Sequence, residues 1–240
     1  MKHNTLQNYL DTHFISRCEL KTKLNVSDRE LTELIELIEL IELIELIELN
    51  LIPSCSYKIK NGISHSHIFG EYPAPECEDN EYYSIFVEEW YYQNITSFPN
   101  FKIIGDLKNK LLSKFVNDYI TETHVNTSFK QEFSEVIDNK NLLLEMANNS
   151  YQHHLQGTYG VCIKEPSSVA KIIEKQAAVA ALSHITDNGN KNRFTENELV
   201  ELHKYIAKFN RIAMPFSPVD YEKSSRKRLV DNVLKRIQNN

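Results

Sequence analysis

The stretch Phe14 to Leu31, FISRCELKTKLNVSDREL, decides the predicted fold of the first part of the chain. Ser16 is followed three positions later by Glu19, and Ser27 is followed in the same way by Glu30. Each pair predicts a capping box, in which the serine oxygen and the glutamate each satisfy a backbone N–H at a helix start. The predicted order is a short helix, a three-residue turn and a second capped helix, which is typical of a helix-turn-helix.

The sequence on both sides of this motif predicts further elements. An earlier helix is expected over about residues 5–14, and two short strands, Tyr57 to Lys60 and His65 to Phe69, are expected around Asn61-Gly62. Asn-Gly fits a two-residue hairpin turn because both residues adopt positive φ readily. Residues 1–71 are thus predicted to form a helix-turn-helix-like module with a small β-hairpin.

Helical patterns dominate the remaining sequence. Residues 72–80, YPAPECEDN, contain two prolines and several acids and are predicted as a linker. From Glu81 to Asn94 aromatic and apolar residues recur at three- and four-residue spacing, which predicts an amphipathic helix. Its aromatic face either stacks on a ligand or packs in the core. Residues 81–240 are predicted as a larger helical domain, and the fold class as mainly α.

The composition of the 240 residues is that of an ordinary globular protein. Hydrophobic residues make up 41%, and 6 glycines and 7 prolines are few for a loop-rich all-β protein. The formal charge of −6 argues against a chain that binds nucleic acid through its overall charge. The first residues do not resemble a signal peptide, no long stretch lacks charge, and the four cysteines form no CxxC pair. A cytoplasmic protein without a membrane segment is expected.

Residues 34–48 consist of five tandem copies of Leu-Ile-Glu. An α-helix turns about 100° per residue, so each triplet advances about 300° and the leucine row slips by about 60° per copy. A helix over Leu34 to Leu49 therefore has no fixed apolar face, and part of its apolar surface needs a cover. We expect self-association or a protein partner at this helix. Alternatively, the repeat is a tandem nine-base duplication in the gene that serves no function.

The stretch from Phe14 to Tyr57 resembles the N-terminal helix-turn-helix of mercury-resistance-regulator (MerR) type proteins. The matching segments are FISRCEL, LNVSDREL and the NLIP step into the hairpin. The resemblance implies a second helix that enters the DNA major groove. Here that helix carries Arg29 against seven glutamates from Glu30 to Glu48, so charge disfavours DNA as a partner.

The remainder of the chain resembles a bacterial family of unknown function that is sometimes labelled natural product biosynthesis proteins. The resemblance rests on LQGTYGVCIKEP, Leu155 to Pro166, and on PFSPVDYEKSSRKRLVDNV, Pro215 to Val233. It implies no established reaction, so no catalytic residue is carried over.

The last part of the chain carries the clearest basic cluster. Its members are Lys223, Arg226, Lys227, Arg228, Lys235 and Arg236. We expect this cluster to contact an anion or an acidic partner. Alternatively, it docks on the acidic repeat of the same chain, or it is a solvated helix face.

A cysteine and two histidines are the candidates for nucleophilic catalysis. Cys162 with His153 or His154 would supply a nucleophile and a base. Neighbouring residues on a helix point about 100° apart, so only one histidine could face the thiol. The simpler interpretation is a tight connector at Gly157 and Gly160, with the cysteine buried. The sequence therefore favours a protein without a catalytic residue.

Metal and cofactor motifs are weak. His65 and His67 share a strand face and could chelate a metal with Cys55 or Cys77, but the sequence favours a hairpin with outward polar positions. The chain has no GxGxxG, Walker or Gly-x-Ser-x-Gly pattern, so no cofactor or metal is predicted. The first hypothesis is a non-enzymatic protein–protein interaction or regulatory module. The alternatives are a MerR-like DNA-binding regulator and an enzyme or accessory protein of natural product biosynthesis.

Overall fold

The computed structural model describes residues 5–25, 27–30, 52–94 and 104–239. The predicted helix over Leu34 to Leu49, and with it the expected site of self-association, lies outside the described residues. The prediction that this segment binds a partner stays a prediction.

Helices dominate the described part of the chain, and short strands lie between the first helices and the later ones. The helices are α1 (Leu6–His13), α2 (Arg17–Leu24), α3 (Val87–Asn94), α4 (Ile104–Val125), α5 (Thr127–Ile137), α6 (Lys140–Leu155), α7 (Thr158–Cys162), α8 (Val169–Ile185), α9 (Glu196–Ile212) and α10 (Asn232–Gln238). The strands are β1 (Phe14–Ser16), β2 (Tyr57–Lys60), β3 (Ile63–Ser66), β4 (Gly70–Pro73) and β5 (Asn80–Ser84). A 3₁₀ turn, Tyr221–Lys223, and a π-helical turn, Lys227–Asp231, precede α10.

Local signals place the helix starts where the sequence predicted them. Ser16 and Glu19 form a complete capping box at the start of α2. At the second box, Glu30 accepts a hydrogen bond from the Ser27 N–H at 2.8 Å and donates its own N–H to Ser27 Oγ at 3.2 Å. A helix begins at Asp28, directly after Ser27 and inside this box. Capping boxes act within four residues, which is why the sequence alone locates them.

The strands form one antiparallel sheet in the order β1-β5-β2-β3-β4. The predicted turn and first strand of the hairpin are confirmed, but the second strand covers Ile63–Ser66 rather than His65 to Phe69. Asn61 and Gly62 at the turn have φ of 53° and 72°. This is the conformation that a two-residue turn between twisted strands requires. Beyond the hairpin, β5 lies between β1 and β2, with Ile15 opposite Tyr83 and Tyr57 opposite Tyr82.

The predicted fold class, a helix-turn-helix-like module followed by a larger helical domain, is wrong. The protein is mainly helical but mixed α/β, because the chain forms a five-stranded sheet. The first part of the predicted helix over Glu81 to Asn94 is strand β5, and only its second part is helix α3. Aromatic spacing misled the prediction, since Tyr82 and Tyr83 are both buried from opposite faces of a strand rather than along one helix face.

Buried apolar residues connect the sheet to the helices. One cluster joins Ile15 and Tyr83 of the sheet to Leu155 and Tyr159 of the helical part. A second cluster joins Tyr57 to Val161 and to the segment after α9. The phenol of Tyr57 also donates a hydrogen bond to buried Asp220 at 2.7 Å. The sheet therefore packs on the helices through shared core rather than through a separate core of its own.

Candidate ligand cavity

The structure places Cys162 and the two candidate histidines, His153 and His154, in different surroundings. His154 is fully buried, with its ring centroid 3.9 Å from that of Trp90, and its Nε2 has no hydrogen-bond partner among the described residues. Burial lowers the pKa of His154 to about 3. His153 is exposed and lies edge-on to Tyr159. Within the described residues no hydrogen bond joins either histidine to Cys162, so a nucleophile–base pair is not formed.

The glycines between these candidates form the tight connector that the sequence predicted. Gly157 has φ of 72°, and a Cβ added there would lie 2.5 Å from the carbonyl oxygen of Ser54. A Cβ at Gly160 would lie 2.1 Å from Ser56 Oγ. Cys162 is buried beside this connector. Glycine is needed here so that α7 can pack directly on the backbone that leads into β2.

The predicted basic cluster contacts groups of the same chain. Arg228 binds the side-chain oxygen of Asn188, and Arg236 binds the backbone oxygen of Gly189. Lys227 pairs with Glu222. These contacts hold the turn after α8 against the C-terminal segment, so part of the cluster stabilises the fold. Its proposed contact with an external anion or partner stays a prediction.

His65 and His67 on the hairpin do not form a complete metal site with other described residues. The rings of His65 and His67 are 5.8 Å apart on the surface. Burial raises the pKa of the Cys55 thiol to about 12 and that of Cys77 to about 11, which opposes the thiolate form that binds metals. Among the described residues no group of three side chains is placed to hold a metal ion.

A cavity of about 310 Å³ opens between helices α4 to α8. It is called the helical cavity below. Its apolar wall consists of Phe133, Met146, Val179 and Ala180. Its polar and reactive wall consists of Tyr119, Asn149, Ser150, Tyr159, Cys162, Lys175 and Gln176. The volume lies at the lower end of the roughly 300–1,000 Å³ typical of small-molecule sites.

Helical periodicity places these side chains around one space. Met146, Asn149 and Ser150 on α6 have the i, i+3, i+4 spacing of a single helix face. On α8, Gln176 and Ala180 share a face in the same way. The start of α8 is set locally, because Ser168 Oγ accepts a hydrogen bond from the Lys171 N–H at 3.3 Å.

A hydrogen-bond network fixes the polar wall of the cavity. The phenol of Tyr119 donates to Gln176 Oε1 at 2.6 Å and lies 2.6 Å from Ser150 Oγ. Gln176 Nε2 in turn donates to the Tyr159 oxygen at 3.1 Å. Burial raises the pKa of both tyrosines, so their phenols stay neutral at physiological pH. The network orients these side chains without placing a charge on the wall.

Lys175 brings a positive charge to this wall. The residue is only 9% exposed, and its Nζ lies 6.0 Å from the centre of the Phe209 ring, near the outer limit of a cation–π contact. Glu174, the residue before Lys175 in the sequence, pairs with Arg211, and Glu122 of α4 pairs with Lys208. Across the described ranges Lys175 has no ion pair, and the residue is part of the cavity lining.

Sequence reasoning identified only Cys162 among the residues that line the cavity. Lys175 and Gln176 were missed, although they form a polar pair inside the apolar sequence of α8, VAKIIEKQAAVAALSHI. A charged residue within an otherwise buried helix is a signal that could have found them. Tyr119 and Ser150 carry no such signal, because only packing brings α4 and α6 together.

Comparison with known proteins identifies the family. The fold and the cavity define a helix-rich α/β protein with a small-molecule-sized site in its helical part. Residues 112–238, just over half of the chain, match the family of unknown function DUF6058, and the chain belongs to this family. All residues that line the helical cavity lie within this range. Neither a curated protein nor a solved structure matches the chain.

The described helices are too short or too polar to be membrane spans. None of them combines the length and the apolar character that crossing a bilayer requires.

Proposed function

We propose that the protein is a non-enzymatic, cytoplasmic regulatory module that binds a small organic ligand in the helical cavity. The observation that carries this proposal is the combination of a small-molecule-sized space with the fixed network of Tyr119, Ser150 and Gln176 and the unpaired ammonium of Lys175. A concave, largely apolar site with a few oriented polar groups is typical of ligand-binding pockets.

The placement of Cys162 supports binding rather than catalysis. Its thiol lines the helical cavity, whereas the imidazole of His154 lines a different and much smaller one. A cysteine nucleophile needs a base within hydrogen-bond reach or a lowered pKa. Neither histidine supplies the first condition among the described contacts.

The short helix α7 offers a route from the cavity to the sheet. Tyr159 and Cys162 line the cavity, while Val161 of the same helix packs in the cluster that contains Tyr57 of β2. A ligand that shifts α7 would therefore move residues that support the sheet. This supports a regulatory role in which the sheet side of the molecule responds to ligand.

The other hypotheses have no support from a specific contact. DNA binding and a role in natural product biosynthesis remain predictions, as does a protein partner at Leu34 to Leu49.

The proposal is tested by thermal unfolding of the full chain in the presence of a broad panel of small organic molecules, neutral and charged. We expect at least one molecule to raise the midpoint temperature, because a ligand that binds only the folded state stabilises it. The shift should disappear in Ala180→Phe, which fills the cavity, and should persist in the control Val200→Phe at an exposed position of α9.

Two results would contradict the proposal. One is a panel in which no molecule raises the midpoint. The other is an equal shift in the filled and control variants, which would place binding outside the cavity. Circular dichroism checks that Ala180→Phe is folded, and Val179→Phe replaces it if it is not.

A further inference from the structure

The geometry points to the chemical class of the ligand: we propose that it carries a single carboxylate, which pairs with Lys175, on a compact apolar body. This inference rests on the proposed function, since it names what the helical cavity binds.

The charge of the cavity wall is the first argument. Lys175 is the one cation among the described residues that line the cavity, and no carboxylate lines it. Glu174, adjacent to Lys175 in the sequence, and Glu122 of α4 pair with Arg211 and Lys208. A mostly buried lysine that has no ion pair among the described residues gains from an anion inside the site. One cation matches a monoanion better than a phosphate, which carries nearly two charges and which proteins usually bind with several donors.

The polar network is the second argument. Tyr119, Ser150 and Gln176 already hydrogen-bond to one another and to Tyr159. Because these groups are satisfied within the protein, they do not need hydroxyls or amides from a ligand. This disfavours a sugar or another ligand rich in hydroxyl groups, and it leaves Lys175 as the charged anchor, with the amide of Asn149 also outside this network.

The shape and lining of the cavity are the third argument. Phe133, Met146 and Val179 supply apolar side chains to the same lining. A thioether side chain such as that of Met146 adapts to the outline of an apolar group. About 310 Å³ accommodates one ring system or a short alkyl chain rather than a long lipid. An aromatic or short aliphatic carboxylic acid meets all three conditions.

The experiment uses matched pairs of probes that differ only in charge. Phenylacetate, indole-3-acetate and hexanoate are each compared with their primary amides by calorimetric titration of the full chain at neutral pH. We expect at least one acid to bind about tenfold or more tightly than its amide, the range expected for a charge-assisted contact.

Substitution of the lysine then identifies the anchor. Lys175→Met should lower the affinity for the acid to that of the amide while leaving the affinity for the amide unchanged. Lys204→Met on the exposed side of α9 is the matched control and should bind the acid as the wild type does. If Lys175→Met fails to fold, Lys175→Gln takes its place.

The outcomes separate this inference from the proposed function. If an acid and its amide bind equally and both are lost in Ala180→Phe, the cavity binds ligands but the carboxylate assignment is wrong. An acid that binds Lys175→Met as tightly as wild type also overturns the assignment. If the broad panel and all six probes fail to bind, the proposed function fails as well.

Discussion

The helical cavity and the space beside His154 lie on neighbouring faces of α6 and α7. They differ in how tightly the structure packs around a polar side chain, Lys175 in the helical cavity and His154 in the smaller space. The space beside His154 measures about 10 Å³, room for about one water molecule, and is lined by Trp90, Gly157 and Gly160. The helical cavity measures about 310 Å³ and presents Lys175. Close packing in the smaller space holds the imidazole neutral, whereas Lys175 in the helical cavity lines an open space and has no ion pair among the described residues.

The difference teaches that residue type alone does not mark a functional site. Histidine is the more common catalytic side chain, but here His154 is a packed core residue under an indole ring. Lysine is rarely buried without a partner. The lysine that faces unfilled space is therefore the more informative of the two residues.

The close packing around the space beside His154 is tested at Gly157, where we expect the largest change in the free energy of unfolding. Gly157→Ala should lower the free energy of unfolding by about 2–5 kcal/mol, because alanine is strained at positive φ and its Cβ would meet the carbonyl oxygens of Ser54 and Cys55. Chemical denaturation measures the change. Gly70→Ala is the matched control, since Gly70 has φ of 75° but no atom within 4 Å of the added Cβ. We expect it to cost only about 1–2 kcal/mol. Equal losses in the two variants would mean that the contact with Ser54 is not tight.

The neutrality of His154 predicts a dependence of stability on pH. The folded pKa of about 3 lies below the ordinary value of 6.5, so below pH 6.5 the unfolded chain binds a proton that the folded chain does not. This stability is present above pH 6.5 and is lost as pH falls toward 3. The loss is about 1.4 kcal/mol per pH unit, or about 2 kcal/mol between about pH 6.5 and 5.

Denaturation of wild type and His154→Leu over this pH range isolates the effect. The wild type should lose about 2 kcal/mol more than the variant, because the leucine has no proton to gain. Burial also lowers the pKa of His67 and His13, and these groups contribute equally to both proteins. Parallel pH profiles would show that His154 is solvated rather than packed.

The helical cavity is tested at Lys175, where we expect the smallest change in the free energy of unfolding. Lys175→Met should leave the free energy of unfolding unchanged or raise it by about 0.5–1 kcal/mol, because it removes an unpaired charge from a mostly buried position. Lys204→Met, at an exposed position, is expected to change it by less than about 0.5 kcal/mol. A loss above about 1 kcal/mol in Lys175→Met, measured by denaturation, would mean that the ammonium stabilises the fold and is not held for a ligand.

Part of the fold was predictable because its signals are local. The boxes at Ser16 and Ser27 set two helix starts, and Asn61-Gly62 set the hairpin turn. The sheet was not predictable in full, because β5 carries aromatic residues whose spacing also fits a helix. Nothing within a few residues of Tyr83 distinguishes the two conformations. Its pairing with β1, about 70 positions earlier in the chain, makes that distinction.

The candidate site, like the fold, was predictable only in part. The sequence named Cys162 and correctly expected it to be buried beside a glycine connector, but it could not place the thiol in a cavity. His154 and Cys162 are close in sequence, yet they line different spaces. Lys175 and Tyr119 are distant in sequence, yet they line the same one.

The sequence by itself determined the helix starts at Ser16 and Ser27 and the turn of the hairpin, since a cap or a turn involves only neighbouring backbone groups. The tertiary structure alone decided that five strands join in one sheet and that a cavity with one unpaired lysine remains between α4 and α8. The physical reason is that sheet pairing and cavity formation depend on how side chains from distant segments fill a shared volume, and local signals do not specify that volume.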